Sequence, residues 1–290
     1  MKLDITEMFC FIDDFCKFIK GELAKKALES GAKIKNPTRI PGLTESEIIT
    51  IILLFHKSPL KNFKSFYKYY FPQYRSEFPN MPTYERFVIL QQSVLPLLAA
   101  MLNCLFVRHD NVAFIDSTPL TVCHNNRRFS HKVCKYISSS GMSSKGWFYG
   151  LKLHVLIDRK GNLMNAKFTT GKDSDISILE KLTSFFKGIL VGDRGYLSFP
   201  LLQKLLGKGV ELVTGIRANM KNMLMRSYQK LLLRKRSIIE TVFGHLKGVF
   251  VFEHHRHRSP TNMFIHVIST LLAYQLKTRK PSISELMSIC

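Results

Sequence analysis

Three acidic residues, Asp116, Asp193 and Glu240, occupy settings in this 290-residue chain that invite a chemical explanation. Asp116 closes the apolar run 111–116 (NVAFID), and Asp193 follows the apolar stretch 189–191 and Gly192. Both read as strand ends, where open α/β sheets collect their functional groups. If those strands are neighbours, the two carboxylates meet. Hard cations such as Mg²⁺ take oxygen ligands, and a pair of such ions stabilises the attacking and leaving oxygens of phosphoryl transfer. Glu240 is the sole acid between Leu212 and Phe252, among Arg217, Lys221, Arg226, Lys230, Arg234, Lys235 and Arg236. A lone carboxylate on a phosphate-attracting surface weakens the attraction unless it carries a metal. Plainer readings stand beside these. An Asp ahead of Ser-Thr-Pro or Arg-Gly-Tyr starts a turn, and Glu240 is spaced to pair with Arg236 along a helix.

The elements that must position these acids begin at residue 111. Residues 111–116, 149–157 and 163–169 read as strands, the last two joined by the turn 158–162 (DRKGN). A helix over 173–187, a strand over 189–191, a helix over 199–206, a strand over 210–214 and a helix from Arg234 to about Val249 follow. The order β-β-β-α-β-α-β-α belongs to an α/β layer with a mixed sheet. On the last helix Ile239, Val242, Phe243 and Leu246 recur at core spacing, flanked by a stripe of Arg236, Glu240, Gly244 and Lys247. Gly244 leaves room for a metal or a DNA backbone, and Lys247 is placed to hold a phosphate. Lys152 and His154 share one face of the second strand and are candidates for touching DNA or the site.

Residues 1–108 read as helical. Ile5, Met8, Phe9, Ile12, Cys16 and Ile19 have helical spacing, 24–43 is a connector, and Thr44 with Glu47 forms a capping box. In 60–70, Phe63, Phe66, Tyr67 and Tyr70 face one way and Lys61, Lys64 and Lys68 the other. This resembles the second part of a helix-turn-helix, or an amphipathic helix with solvated lysines. Thr83 caps a further helix to about Phe106, kinked at Pro96. Two domains follow: a helical, DNA-binding region 1–108 and a catalytic region 109–290 with basic C-terminal helices.

Charge points to the partner. There are 43 Lys and Arg against 21 Asp and Glu, a net +22. Residues 1–110 hold 15 basic and 11 acidic residues (+4), whereas 111–290 hold 28 and 10 (+18). Such a field suits a polyanion, and DNA is favoured over an anionic membrane surface. The cluster 254–258 (HHRHR), with Arg256 and Arg258, is a candidate phosphate clamp. No uninterrupted apolar run reaches the ~18–20 residues that span a bilayer, and the start lacks a signal-peptide pattern, so an intracellular protein is expected. Six scattered cysteines do not form a disulfide framework. Cys123, His124, His131 and Cys134 fit no standard zinc spacing and read as a basic loop.

Seven stretches then resemble, in order, the DDE transposases of bacterial insertion sequences, specifically insertion-sequence family nine-eighty-two. They are FIDDFCKF, SEFPN, FIDSTPLTVCHN (114–125), GWFYGLKLH (146–154), GDRGYLS (192–198), LRKRSIIETVFGHLK (233–247) and EHHRHRSPTN (253–262). The resemblance implies an RNase H-like catalytic domain, the triad Asp116, Asp193 and Glu240, and two Mg²⁺ ions, with Mn²⁺ able to substitute. It also implies double-stranded DNA partners (element ends and target), a homodimer on paired ends, and a bacterial, nucleoid-associated cytoplasmic location without a membrane. The chain departs from the family at Gly244-His245, where Asp-Gln is frequent, and 171–175 (GKDSD) is atypical. Two alternatives remain: a non-cutting DNA-binding relic, and a nuclease of the same fold without joining activity.

Overall fold

A computed structural model describes residues 4–30, 41–144, 146–215, 225–253 and 257–283. The chain divides into two compact units: 1–104 with 259–276, and 105–258 with 277–290.

The first unit is helical. It holds α1 (Ile5–Glu29), α2 (Glu45–Lys57), a single turn α3 (Phe63–Ser65), α4 (Tyr84–Leu90), α5 (Leu95–Leu105) and α10 (Pro260–Gln275). The capping box is present: Thr44 Oγ1 accepts from the Glu47 N–H, and the Glu47 carboxylate accepts from the Thr44 N–H. After α3 the chain continues as one π turn (Phe66–Tyr70) and one 3₁₀ turn (Phe71–Tyr74). The segment is thus helical from Phe63 to Tyr74, as its spacing suggests, but only its first turn is α. Packing explains this: Phe63, Phe66, Tyr67 and Phe71 crowd against one another and against Phe55 and Phe87. Lys61, Lys64 and Lys68 are exposed, on the side away from those rings.

The helix capped by Thr83 is broken by a 3₁₀ turn at Gln91–Val94, just ahead of Pro96. The proline ring crowds the carbonyl four residues earlier, which disfavours a regular turn there. Taken together, Tyr84–Leu105 is long and apolar enough to cross a membrane, although Pro96 and scattered polar residues interrupt its apolar sequence. Phe87, Val94, Leu98 and Met101 are buried within the unit. The C-terminal helix α10 belongs to this helical unit, whereas the reading by chain order attached it to the catalytic region.

The second unit is a six-stranded mixed sheet. Its strands are β1 (Val112–Cys123), β2 (Ser139–Ser143), β3 (Gly146–Asp158), β4 (Leu163–Thr170), β5 (Gly188–Gly192) and β6 (Val210–Thr214), with β2 not foreseen. The order is β2-β3-β1-β5-β6, and β4 also pairs with β3. β1 runs antiparallel to β3 and parallel to β5, and β5 parallel to β6. Around the sheet lie α6 (Asp175–Leu182), α7 (Phe199–Leu206), α8 (Ser227–Lys235) and α9 (Ser237–Gly248). One helix was expected from Arg234 onward; instead α8 ends and α9 begins at Arg236.

Strand alternation sorts the core into two faces. Ala113 and Ile115 point into a cluster with Leu156, Met164, Leu179, Leu182, Tyr196 and Leu205, under α6 and α7. Even-numbered residues of β1 point the opposite way, toward α9, whose Ile238, Ile239, Val242, Phe243 and Leu246 are buried.

Gly150 marks a tight spot. A Cβ there would stand 2.1 Å from the Leu120 carbonyl oxygen, a backbone atom that cannot step aside. A Cβ at Gly244, mid-α9, would meet nothing within 4 Å. Gly150→Ala should therefore destabilise the protein by about 1–3 kcal/mol. Gly244→Ala should stabilise it by about 0.5–1 kcal/mol. Paired thermal melts check both signs.

Candidate active site

Asp116 lies within β1, not at its end as expected. The strand continues to Cys123, but its pairing to β5 covers only Val112, Ala113 and Phe114. From Asp116 onward the β5 side of β1 is open, so the carboxylate sits where the sheet loses a neighbour. Asp193 follows β5 directly, at the start of the 3₁₀ turn Arg194–Tyr196. The parallel register pairs Phe114 with Val191. Two residues further along each chain this sets Asp116 beside Asp193, and the same alternation turns both to the α9 face.

The side chain of Asp116 is only 22% exposed. Burial raises its carboxyl to about 6. The Ser117 N–H and Arg236 pull the other way, while the negative charges of Asp193 and Asp175 add to the rise. The Ser117 N–H donates to Asp116 Oδ1 at 2.8 Å.

Glu240 projects from the first turn of α9, with its side chain 58% exposed. Arg236 links it to Asp116: its guanidinium is 3.1 Å from Glu240 Oε1 and 3.9 Å from Asp116 Oδ2. Among the described residues no three His, Cys, Asp or Glu side chains are close enough to hold one metal ion as they stand. The helical pairing of Glu240 with Arg236 is thus real. An exposed i,i+4 pair contributes only about 0.3–0.5 kcal/mol, and with the cation on the N-terminal side it runs in the less favourable order. That is too weak to hold Glu240 against a competing divalent cation.

Several candidate DNA contacts are engaged otherwise. Arg236 serves the carboxylates as described. Lys152 is not free for DNA: its ammonium donates to Asp175 Oδ1 at 2.9 Å and to the Asp173 carbonyl at 2.8 Å. His154 is fully buried, its Nε2 2.8 Å from Thr169 Oγ1, and burial lowers its pKa to about 4. It is a neutral core histidine, beyond the reach of DNA. Lys247 pairs with Glu253 at 2.5 Å, so a phosphate must displace that carboxylate. Arg234 and Arg258 are exposed and Lys235 is half-buried. Arg256 lies outside the described residues.

Asp175 went unassigned in the sequence. It starts α6, accepts from Ser117 Oγ at 2.8 Å, and bonds Lys152 on the sheet face opposite Asp116. Tyr196 is buried beside it, its hydroxyl pushed well above the usual phenol value by burial and by the charges of Asp175, Asp116 and Asp193. Only the position of Asp175 at a helix start, behind the Ser174 cap, could have drawn notice to it.

The family comparison falls on this geometry. A family model described as Transposase DDE domain matches residues 106–260, more than half of the chain and a span containing all three acids. The chain belongs to the transposase DDE-domain family.

Among solved structures, a piggyBac transposase synaptic complex with hairpin DNA is similar to this DDE-domain chain at a TM-score of 0.52 and 9% identity. The likeness covers 82% of this chain and 68% of that one. At that identity it speaks for the fold: a mixed α/β, RNase H-like sheet with a helical N-terminal region. No curated protein matches the sequence.

The raised carboxyl of Asp116 has a consequence for stability. Its pKa is higher in the folded than in the unfolded chain, so no penalty exists below about pH 4, and the penalty grows as pH rises through about 6. Asp116→Asn should raise the melting temperature by a few degrees at neutral pH, with the gain vanishing below about pH 4. Thermal melts across that window check it.

Proposed function

We propose that the protein is a DNA transposase that cuts phosphodiester bonds at the ends of an insertion sequence and joins the freed 3′-hydroxyl to target DNA. The proposed triad is Asp116, Asp193 and Glu240. The observation that supports this is the parallel register that carries Asp116 and Asp193 to neighbouring positions where β5 stops, with Arg236 between Asp116 and Glu240.

The residues suit divalent metal ions. All three donors are carboxylates, the ligand type of Mg²⁺ and Mn²⁺. Burial and the neighbouring charge of Asp193 leave Asp116 poorly compensated by a guanidinium 3.9 Å away. Asp116 and Asp193 would hold such ions, with Glu240 joining once released from Arg236. The chemistry such ions would supply there is activation of the attacking water and stabilisation of the departing oxygen.

The chain's own groups prepare this site. Arg236 bridges Asp116 and Glu240 when no other cation is bound, and would be available to a DNA phosphate if it left them. The Ser117 N–H fixes one oxygen of Asp116, and the other lies 3.9 Å from Arg236. Lys152 neutralises Asp175, which limits the total negative charge around the pair. Exposed Arg234, Arg258, Lys61, Lys64 and Lys68 supply phosphate contacts, and Lys235 and Lys247 join them when DNA draws them out. The partners are element ends and target DNA, gripped by a homodimer in the bacterial cytoplasm.

A strand-cleavage assay with Mg²⁺ on a duplex carrying an element end tests the reading. Asp116→Asn, Asp193→Asn and Glu240→Gln should each lower cleavage by roughly 10²–10³-fold or more, while DNA affinity in a gel-shift assay changes little. Undiminished cleavage by any of the three removes that residue from the triad.

A further inference from the structure

Away from the carboxylates, the second unit has a surface that combines positive charge with unshielded aromatic rings. From residue 117 to 157 the chain contains six Lys and Arg and no acidic residue. Within this stretch Phe129 is 89% exposed, Tyr136 94% and Trp147 64%. Rings of this size normally retreat from water, and a group of them left outside marks a binding surface.

The fold brings these residues together. The loop between β1 and β2 carries Arg127, Arg128, Phe129, Lys132, Lys135 and Tyr136. It is tied to the β2–β3 hairpin by the Asn125 amide donating to the Trp147 carbonyl, and by the His131 ring edge-on to Tyr149 at 6.2 Å. Across the hairpin Trp147 pairs with Met142, itself 60% exposed, on one sheet face. Arg128 already stacks on the Phe129 ring at 4.5 Å. A cation over a flat ring is the arrangement that also accepts a nucleobase.

We propose that the β1–β2 loop and the β2–β3 hairpin form a stacking platform for unpaired DNA, in which Phe129, Tyr136 and Trp147 receive bases and Arg127, Arg128, Lys132 and Lys135 receive phosphates. Paired bases hide their faces, so rings aimed at solvent suit a single strand, whereas a duplex would use the charges alone. Position supports a flanking strand. Asp116 is opposite Val155 on β3, and Trp147 lies eight positions earlier, roughly 26 Å away at ~3.3 Å per residue. A strand leaving the carboxylates spans that distance in about eight nucleotides at the ~3.4 Å duplex spacing, and in fewer where it is unpaired and extended. The purpose assigned to the strand rests on the transposase reading; the binding itself does not.

Trp147 is the chain's single tryptophan, so its emission reports on this surface alone. The full chain, without divalent ions, is titrated with an oligothymidylate, a blunt duplex, and anionic phospholipid vesicles. Oligothymidylate should quench Trp147 to saturation, and the blunt duplex should quench it far less. Phe129→Ala with Tyr136→Ala should weaken oligothymidylate binding roughly tenfold or more, leaving duplex affinity within about twofold. Arg127→Ala with Arg128→Ala should reduce the single-strand salt slope by about 1.4. Because these side chains are exposed, unchanged melting curves establish that the variants fold. The proposal is overturned if saturating oligothymidylate leaves Trp147 unquenched, if the aromatic pair is dispensable, or if vesicles alone quench. Quenching by a chain that never cuts DNA would sink the transposase reading and leave this platform standing.

Discussion

A carboxylate that is nearly buried, close to a second one, and matched only by a distant guanidinium is the constraint around which the second unit is arranged. Asp116 gains its low exposure from β3 on one side and α9 above, and it gains its neighbour because β1 outruns β5. Burial and like charge both raise its carboxyl. Left alone, such a group costs stability at neutral pH. A divalent cation bound between the two carboxylates, as proposed above, would relieve that cost.

Arg236 occupies an informative position in this scheme. It stands at the junction of α8 and α9, where a continuous helix would have aimed it elsewhere, and it touches two of the three acids. A second layer on the opposite sheet face repeats the logic with Asp175, Lys152 and Ser117. Alternation along β1 separates the layers by a single residue: Asp116 turns to α9 and Ser117 to α6. Substitutions in either layer should therefore be felt in the other through the charges of Asp175 and Asp193 on Asp116.

Much of this was legible in the residues. The apolar runs at 111–116 and 189–191 marked two strands, which the structure pairs in parallel, and the buried row Ile239, Val242, Phe243 and Leu246 marked the face of α9 that leaves Glu240 outside. Local rules suffice there, because hydrophobic period and caps act over a few residues. The partners of the cations were not legible. Lys152 finds Asp175, 23 residues away, and His154 finds Thr169, 15 residues away, through the β3–β4 pairing and the turn into α6. A side chain's face can be read from alternation, but what waits on that face depends on register and crossover. The 60–70 stretch has the inward aromatic face and outward lysines that its spacing predicts, but the helix type was not legible: with Phe63, Phe66, Tyr67 and Phe71 crowded among partners from α2 and α4, it runs as α, π and 3₁₀ turns in succession.

The proposed triad requires the three acids to converge on cations once cations are present. The direct measurement is an anomalous-scattering map of crystals grown with Mn²⁺. It should show density about 2.1 Å from oxygens of Asp116 and Asp193, with Glu240 turned away from Arg236 toward the ion. A map with no density there, and with Arg236 still spanning Asp116 and Glu240 at saturating Mn²⁺, would contradict it.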